Sequence, residues 1–393
     1  MKLVNLQPPP YPDISSQELS NCDSIYSDRI IDDFYFKGAT KFETALSNYL
    51  RVEYTFATNS GYSAIVLALL AAGVKAGDEV IVPAISWGQT VSPVLHIGAK
   101  PVFADINKDT FQISYEEVVN CFTDKTKAVL VVNLYGSSPD LYKIKRFCEN
   151  NMIFMIEDSA QSMGCKFGDS YTGTIGHFGA YSFNAEKLLA VGGSGAITCE
   201  TRHLYEKVIY YGSKSLHKKY ILKDTNYDCT DAFDYTFLCH PVLQQLCHQK
   251  LDTLDELNDY RRENTKFMRD ELSDIKHLQL QSVTSKSDLP LYMFSFVNLA
   301  NISQDKLFSL FRKFRVPVFG YNPTPLNEMR SNRFSWAANT YTNKTCTNAS
   351  FLSKNEVCIT SYKWYTKRKD YLRQYSDAIH KCYEQLERRG FGV

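Results

Sequence analysis

The stretch AVLVVNLYGSSPDLYKIKRFCENNMIFMIEDSAQ, from Ala128 to Gln161, decides the fold. Ala128–Asn133 is an apolar run of the kind found in strands covered on both faces. Pro139–Asn150 follows, with Leu141, Ile144, Phe147 and Cys148 at helical spacing. Ile153–Glu157 is apolar again and leads into Asp158. Strand, helix and strand in that order predict a unit of a parallel sheet. The alternation continues outward. Strand-like runs occur at Tyr54–Ala57, Glu79–Pro83 and Pro101–Ala104 on one side, and at Gly179–Phe183 and Gly195–Cys199 on the other. Tyr62–Ala72, rich in Ala and Leu, reads as a helix between two of them. The expectation is a large α/β domain with a mostly parallel seven-stranded sheet.

The texture changes near residue 200. His203–Lys214 reads as a helix leading into the polar, irregular stretch Ser215–Asp231. A long helix pattern runs from about Pro241 to Leu272, then a strand at Leu291–Leu299, a loop at Tyr321–Leu326 and a helix near Lys367–Arg388. Residues 1–250 are expected to form the large domain with an N-terminal segment, and 251–393 a smaller C-terminal α+β domain.

Composition removes other classes. Lys and Arg total 44 against 43 for Asp and Glu, a net charge of +1, which argues against a general nucleic-acid binder. Met1–Ser16 has no apolar core of the signal-peptide kind. The best apolar run, Ala64–Gly73, falls well short of the roughly 20 residues a membrane span needs. The 11 cysteines are odd in number, dispersed from Cys22 to Cys382 and without a C-x-x-C pair, so neither a disulfide framework nor a zinc site is expected. A cytoplasmic protein with no metal site follows as the expectation.

Ligands of parallel α/β sheets bind beyond the carboxyl ends of the strands. Four features fall there. Thr58-Asn59-Ser60-Gly61-Tyr62-Ser63 joins a strand to a helix, where free N–H groups can hold a phosphate or Ser60 can simply cap the helix. Glu157 and Asp158 end a strand, and a buried carboxylate there requires a partner. Lys187 follows the strand ending at Phe183 and precedes Gly192-Gly193-Ser194-Gly195. Trp87 follows Val82-Pro83, where an aromatic can stack on a planar ligand or fill a core or interface. A phosphate cradle, a carboxylate, a lysine and an aromatic plate together suit pyridoxal phosphate. Its aldehyde condenses with a lysine amine, and a carboxylate pairs with its ring nitrogen. No G-x-G-x-x-G occurs, which disfavours a dinucleotide site.

At this level the chain resembles the fold-type-I sugar aminotransferases of the DegT/DnrJ/EryC/StrS family, from about Phe36 to Leu386. The runs that carry the resemblance include AAGVKAGDEVIVP (Ala71–Pro83), GAKPVFADI (Gly98–Ile106), IEDSAQSMG (Ile156–Gly164), GTIGHFGAYSF (Gly173–Phe183) and LDTLDELNDYRREN (Leu251–Asn264). The resemblance implies that Lys187 is the Schiff-base lysine and proton shuttle, and Asp158 the partner of the ring nitrogen. Gln161 would lie beside the ring face and its phenolic oxygen, and Trp87 would stack on the ring. Ser182 and the backbone of Gly61 and Tyr62 would hold the phosphate. It further implies an amino donor, L-glutamate, and a keto-sugar acceptor, nucleotide-linked, in amino-sugar synthesis for a surface polysaccharide or secondary metabolite. A homodimer with shared sites is implied as well, with no nucleic acid or membrane partner.

Several positions depart from the family pattern. Tyr62 stands where Thr is usual. Asp234-Tyr235-Thr236-Phe237-Leu238-Cys239 replaces a G-Y-N-Y-R-L segment, so Thr236 takes the place of an Asn that reaches the partner's phosphate. Gly193-Ser194 replaces Glu-Gly, and His177 replaces Asp. Two rivals share the fold: a pyridoxal-phosphate sugar dehydratase, whose members carry His at the lysine position, and a non-catalytic binding protein. The presence of Lys187 and Asp158 speaks against both.

Overall fold

The computed structural model describes residues 14–22, 40–214, 218–219, 221–223, 225–227, 235–321, 324–329, 345–360 and 369–390. Most of the expected polar stretch 215–231, most of the segment 1–16, Phe36, Asp234 and Lys367 lie outside these residues.

The alternation read from the sequence is realised as a seven-stranded sheet. Its strands are β1 (Tyr54–Thr58), β2 (Glu79–Pro83), β3 (Lys100–Ala104), β4 (Thr126–Val132), β5 (Phe154–Asp158), β8 (Phe178–Ser182) and β9 (Gly195–Cys199), with a short hairpin, β6 (Lys166–Phe167) and β7 (Ser170–Tyr171), standing apart. The spatial order is β1-β9-β8-β5-β4-β2-β3. Neighbours from β8 across to β3 pair in parallel, while β9 is antiparallel to both β8 and β1. The exception has a local cause. The link from β8 to β9 contains no crossover helix, so the chain can only return in the opposite direction.

Helices cover both faces. Gly61–Ala71 is buried on nearly every side, because it lies between β8, β9 and two further helices, Gly88–His96 and Arg202–Gly212. Truncating any of its fully buried leucines would cost about 2–5 kcal/mol. The helix Lys41–Leu50, absent from the sequence reading, starts at a capping box in which Thr40 accepts the Glu43 N–H and Glu43 reaches back to Thr40.

The C-terminal part forms a four-stranded antiparallel sheet, β10 (Leu278–Leu280), β11 (Met293–Asn298), β12 (Val318–Phe319) and β13 (Glu356–Thr360), in the order β10-β11-β13-β12. Its core partners include Leu307, Phe311, Leu372 and Ile379 from the helices Gln304–Lys313 and Lys369–Arg388. The 31-residue helix Pro241–Glu271 links the two sheets: Leu246, Leu251 and Leu254 belong to the main core and Met268 to the second. The expected border at residues 250 and 251 falls inside this helix. All ten described cysteines are buried. No helix among the described residues is long and apolar enough to cross a membrane.

Candidate active site

The carboxyl ends of β1, β5 and β8 open into one cavity of about 730 Å³. Gly61, Tyr62, Trp87, Asp158, Gln161, Ser182 and Lys187 all line it. Residues spread over more than a hundred positions of sequence are therefore brought together by the parallel topology.

The helix beginning at Gly61 provides the first wall. Ser60 caps it by accepting the Ser63 N–H at 3.1 Å, so capping and cavity lining coexist at this turn. The first N–H groups of a helix have no partner within it, which leaves them available to an anion. Glycine is required by close approach. A Cβ on Gly61 would stand 2.8 Å from the Ser182 Cβ, and one on Gly195 would stand 2.6 Å from the Gly61 nitrogen. Gly61→Ala is accordingly expected to push the helix start off β8 and weaken cofactor uptake roughly tenfold, within the 1–3 kcal/mol that overpacking costs. An absorbance titration of the unloaded variant with pyridoxal phosphate measures it; wild-type affinity would disprove the close fit. Tyr62 does not replace a threonine hydroxyl in kind. Its phenol lies 2.8 Å from His96 Nδ1, with the two rings stacked at 6.0 Å.

The two acids ending β5 have separate tasks. Glu157 is fully buried and accepts the backbone N–H groups of Gly173, Ile175 and Gly176 at 2.7, 2.8 and 2.6 Å, plus Asn133 Nδ2 at 3.1 Å. It fastens the turn that leads into β8. Asp158, one residue on, faces the cavity. Thr90 Oγ1 donates to its Oδ2 at 2.7 Å, and the Ala160 N–H donates to Oδ1 at 3.1 Å. Burial raises the Asp158 pKa, a rise that Thr90, Ala160 and the charge of Lys187 only partly offset.

Lys187 sits in the link between β8 and β9. Buried Leu188, Leu189 and Val191 anchor that link in the core, and Arg261 of the long helix donates to the Leu188 carbonyl at 3.3 Å. The amine stands 4.9 Å from the centre of the Tyr292 ring. Burial lowers its pKa, against the pull of Asp158 and Glu186. Desolvation thus drives both Lys187 and Asp158 toward their neutral forms.

Gln161 is held at both ends: Oε1 accepts the Tyr135 N–H at 2.8 Å, and Nε2 donates to the Tyr321 phenol at 2.6 Å. Trp87 lies at the cavity mouth, 52% exposed, with its ring 6.0 Å from that of Tyr321. Ser194, where the family pattern has glycine, keeps φ at +92° and places its hydroxyl 3.3 Å from the Thr58 carbonyl and 2.9 Å from Cys239 Sγ.

Thr236, expected to reach the partner's phosphate rather than its own chain's, does not line this cavity. Its carbonyl accepts Asn59 Nδ2 at 3.3 Å, while the Asn59 N–H bonds to the Phe237 carbonyl at 2.8 Å. The segment backs the phosphate turn from outside. His177 precedes β8 at the end of the strand remote from the cavity, where Nδ1 accepts the Met155 N–H at 2.9 Å. Thr90, Tyr292 and Tyr321 line the site without having been read from the sequence. Thr90 had a faint signal, one helical turn after Trp87; Tyr292 and Tyr321 reach the site only through tertiary folding.

The donor set fits pyridoxal phosphate. A ring nitrogen carrying a proton would give Asp158 the cation that burial denies it, the phosphate would meet the Gly61 helix start and Ser182, and the aldehyde would meet the Lys187 amine. Fold and donor set together suit the class of pyridoxal-phosphate-binding proteins.

Comparison with known proteins narrows the class. The sequence model of the DegT/DnrJ/EryC1/StrS aminotransferase family matches residues 12–370, and the chain belongs to that family. GDP-perosamine synthase of Escherichia coli O157:H7 is 28% identical over 244 residues, covering 62% of this chain and 65% of that protein. L-glutamine:2-deoxy-scyllo-inosose aminotransferase of Streptomyces kanamyceticus is 38% identical over 161 residues, covering 41% of this chain and 38% of that one. The matched stretches thus span less than two thirds of these relatives. The solved structure of the E. coli GDP-4-keto-6-deoxy-D-mannose-3-dehydratase with bound hydrated pyridoxal phosphate superposes with a TM-score of 0.77 at 22% identity, covering 94% of this chain and 98% of that one. This last likeness is one of fold.

Proposed function

We propose that this chain transfers an amino group from L-glutamate to the ketone of a nucleotide-linked sugar, in the cytoplasm, as a step of amino-sugar synthesis. One observation carries the reading: a desolvated lysine amine, a buried carboxylate and a helix N-terminus share one cavity wall. Pyridoxal phosphate bound there supplies an electron sink for the carbon that loses its proton. Burial lowers the Lys187 pKa and so favours the neutral form of the amine, which would accept this proton and return it. Asp158 would hold a proton on the ring nitrogen. Gln161 would border the ring, Trp87 would cover it, and Ser182 with the N–H groups of Gly61 and Tyr62 would receive the phosphate. Lys187, rather than a histidine, favours amino transfer over sugar dehydration.

A second copy of the chain is proposed to complete the site. Exposed Trp87 at the mouth and Thr236 outside this chain's own cavity are the residues that support a shared arrangement. A second reading of the substrates, L-glutamine and a keto-cyclitol, is favoured by the Streptomyces relative of that name. The purified protein, loaded with pyridoxal phosphate, is expected to lose its visible absorbance on addition of L-glutamate and to release 2-oxoglutarate in proportion to a keto-sugar acceptor. Bleaching by L-glutamine alone would select the second reading. Absorbance indifferent to both donors would refute amino transfer.

A further inference from the structure

Tyr321 enters the site from the segment after β12, in the part of the chain that builds the second sheet. Its contact with Gln161 spans 160 positions of sequence. The direction of each bond follows from chemistry. The Tyr135 N–H can only donate, so it fixes which end of the Gln161 amide is oxygen. The other end, an NH₂, can only donate, so the Tyr321 phenol must accept it. Accepting that bond leaves the phenol proton for an acceptor elsewhere, and Tyr321 lines the cavity.

The ring is held as firmly as the hydroxyl. Tyr321 packs edge-on against Tyr135 at 5.2 Å and lies against Trp87 at 6.0 Å. Tyr135 itself has φ +62°, a costly value for a tyrosine, and its N–H is the group that orients Gln161. Gln161 is only 4% exposed. It is clamped between a strained turn of the large sheet and a tyrosine from the C-terminal part.

We propose that Tyr321 is a positioning residue, which locks the Gln161 amide against the cofactor and so couples docking of the C-terminal segment to cofactor retention. The inference rests on the pyridoxal-phosphate reading of the cavity. A merely space-filling Tyr321 would need its ring and not its hydroxyl, so Tyr321→Phe separates the two.

The test compares wild type, Tyr321→Phe, Gln161→Ala and the double variant. For each, the dissociation constant of pyridoxal phosphate and the pH midpoint of its bound absorbance are measured, together with thermal unfolding of the unloaded protein. Tyr321→Phe is expected to weaken cofactor binding about three- to tenfold, the worth of one hydrogen bond, and to move the midpoint. Its unloaded unfolding temperature should fall only slightly, by what the loss of one hydrogen bond entails. In the Gln161→Ala background the same change should have no further effect, because the two residues act as one unit. Tyr321→Phe indistinguishable from wild type, or effects that multiply in the double variant, would overturn the proposal. A wild type that takes up no cofactor would overturn the functional reading and this inference together, whereas a normal wild type beside a silent Tyr321→Phe overturns this inference alone.

Discussion

Lys187→Ala is expected to reduce kcat at least about 10³-fold, within the range that a positioned acid–base group contributes, and to remove the visible absorbance of the lysine-bound cofactor. The size follows from the site. Lys187 is the one cationic side chain that lines the cavity among the described residues, so no neighbour can inherit its proton transfers. Folding should survive. The anchors of the link that carries it are Leu188, Leu189 and Val191, and these are untouched. The pH profile adds a sign. Burial lowers the Lys187 pKa, so the neutral amine persists to lower pH than in an ordinary lysine. Activity should therefore fall on the acid side, as the amine gains its proton. That acid limb should vanish from the residual rate of Lys187→Ala. Retained turnover and absorbance would remove the lysine from the mechanism.

The sequence made this prediction available because parallel topology ties position in the chain to position in space. Apolar runs ending at Ala57, Glu157 and Phe183 already marked the rim of a sheet, and the strand ends shifted by no more than two residues. What stayed hidden depends on contacts that periodicity does not encode. Glu157 and Asp158 are adjacent and chemically alike. Their separate tasks come from the alternation of a strand, which aims one at the Gly173–Gly176 turn and the other at the cavity. Thr236 was expected at the partner's phosphate; within its own chain its carbonyl backs the Asn59 turn. Tyr321 could not be placed at all, since it follows β12 of the second sheet and meets Gln161 across 160 positions of sequence.

Asp158→Asn is expected to lower kcat of the loaded enzyme about 10²- to 10³-fold, the loss that follows when one partner of a buried ion pair is removed. The new amide keeps the size of the side chain, and its oxygen can still accept one of the two donors, Thr90 Oγ1 or the Ala160 N–H. It carries no negative charge, so it cannot hold a proton on the ring nitrogen. The unloaded protein should respond in the opposite sense. Burial raises the Asp158 pKa above its ordinary 3.8, so the folded state binds this proton more tightly than the unfolded chain does. Stability tied to that proton is present at low pH and lost as pH rises through the folded pKa. The amide of the variant has no such proton to lose, and the buried Glu43, Glu157 and Glu356, whose pKa values are also raised, remain in both proteins. The difference between the two unfolding curves therefore isolates Asp158. Unloaded Asp158→Asn should lose less unfolding temperature than wild type as pH rises above the ordinary carboxylate value of 3.8, even as the loaded variant turns over poorly. Parallel curves would show that Asp158 is not desolvated in the empty cavity, and an unimpaired rate would separate it from the ring nitrogen.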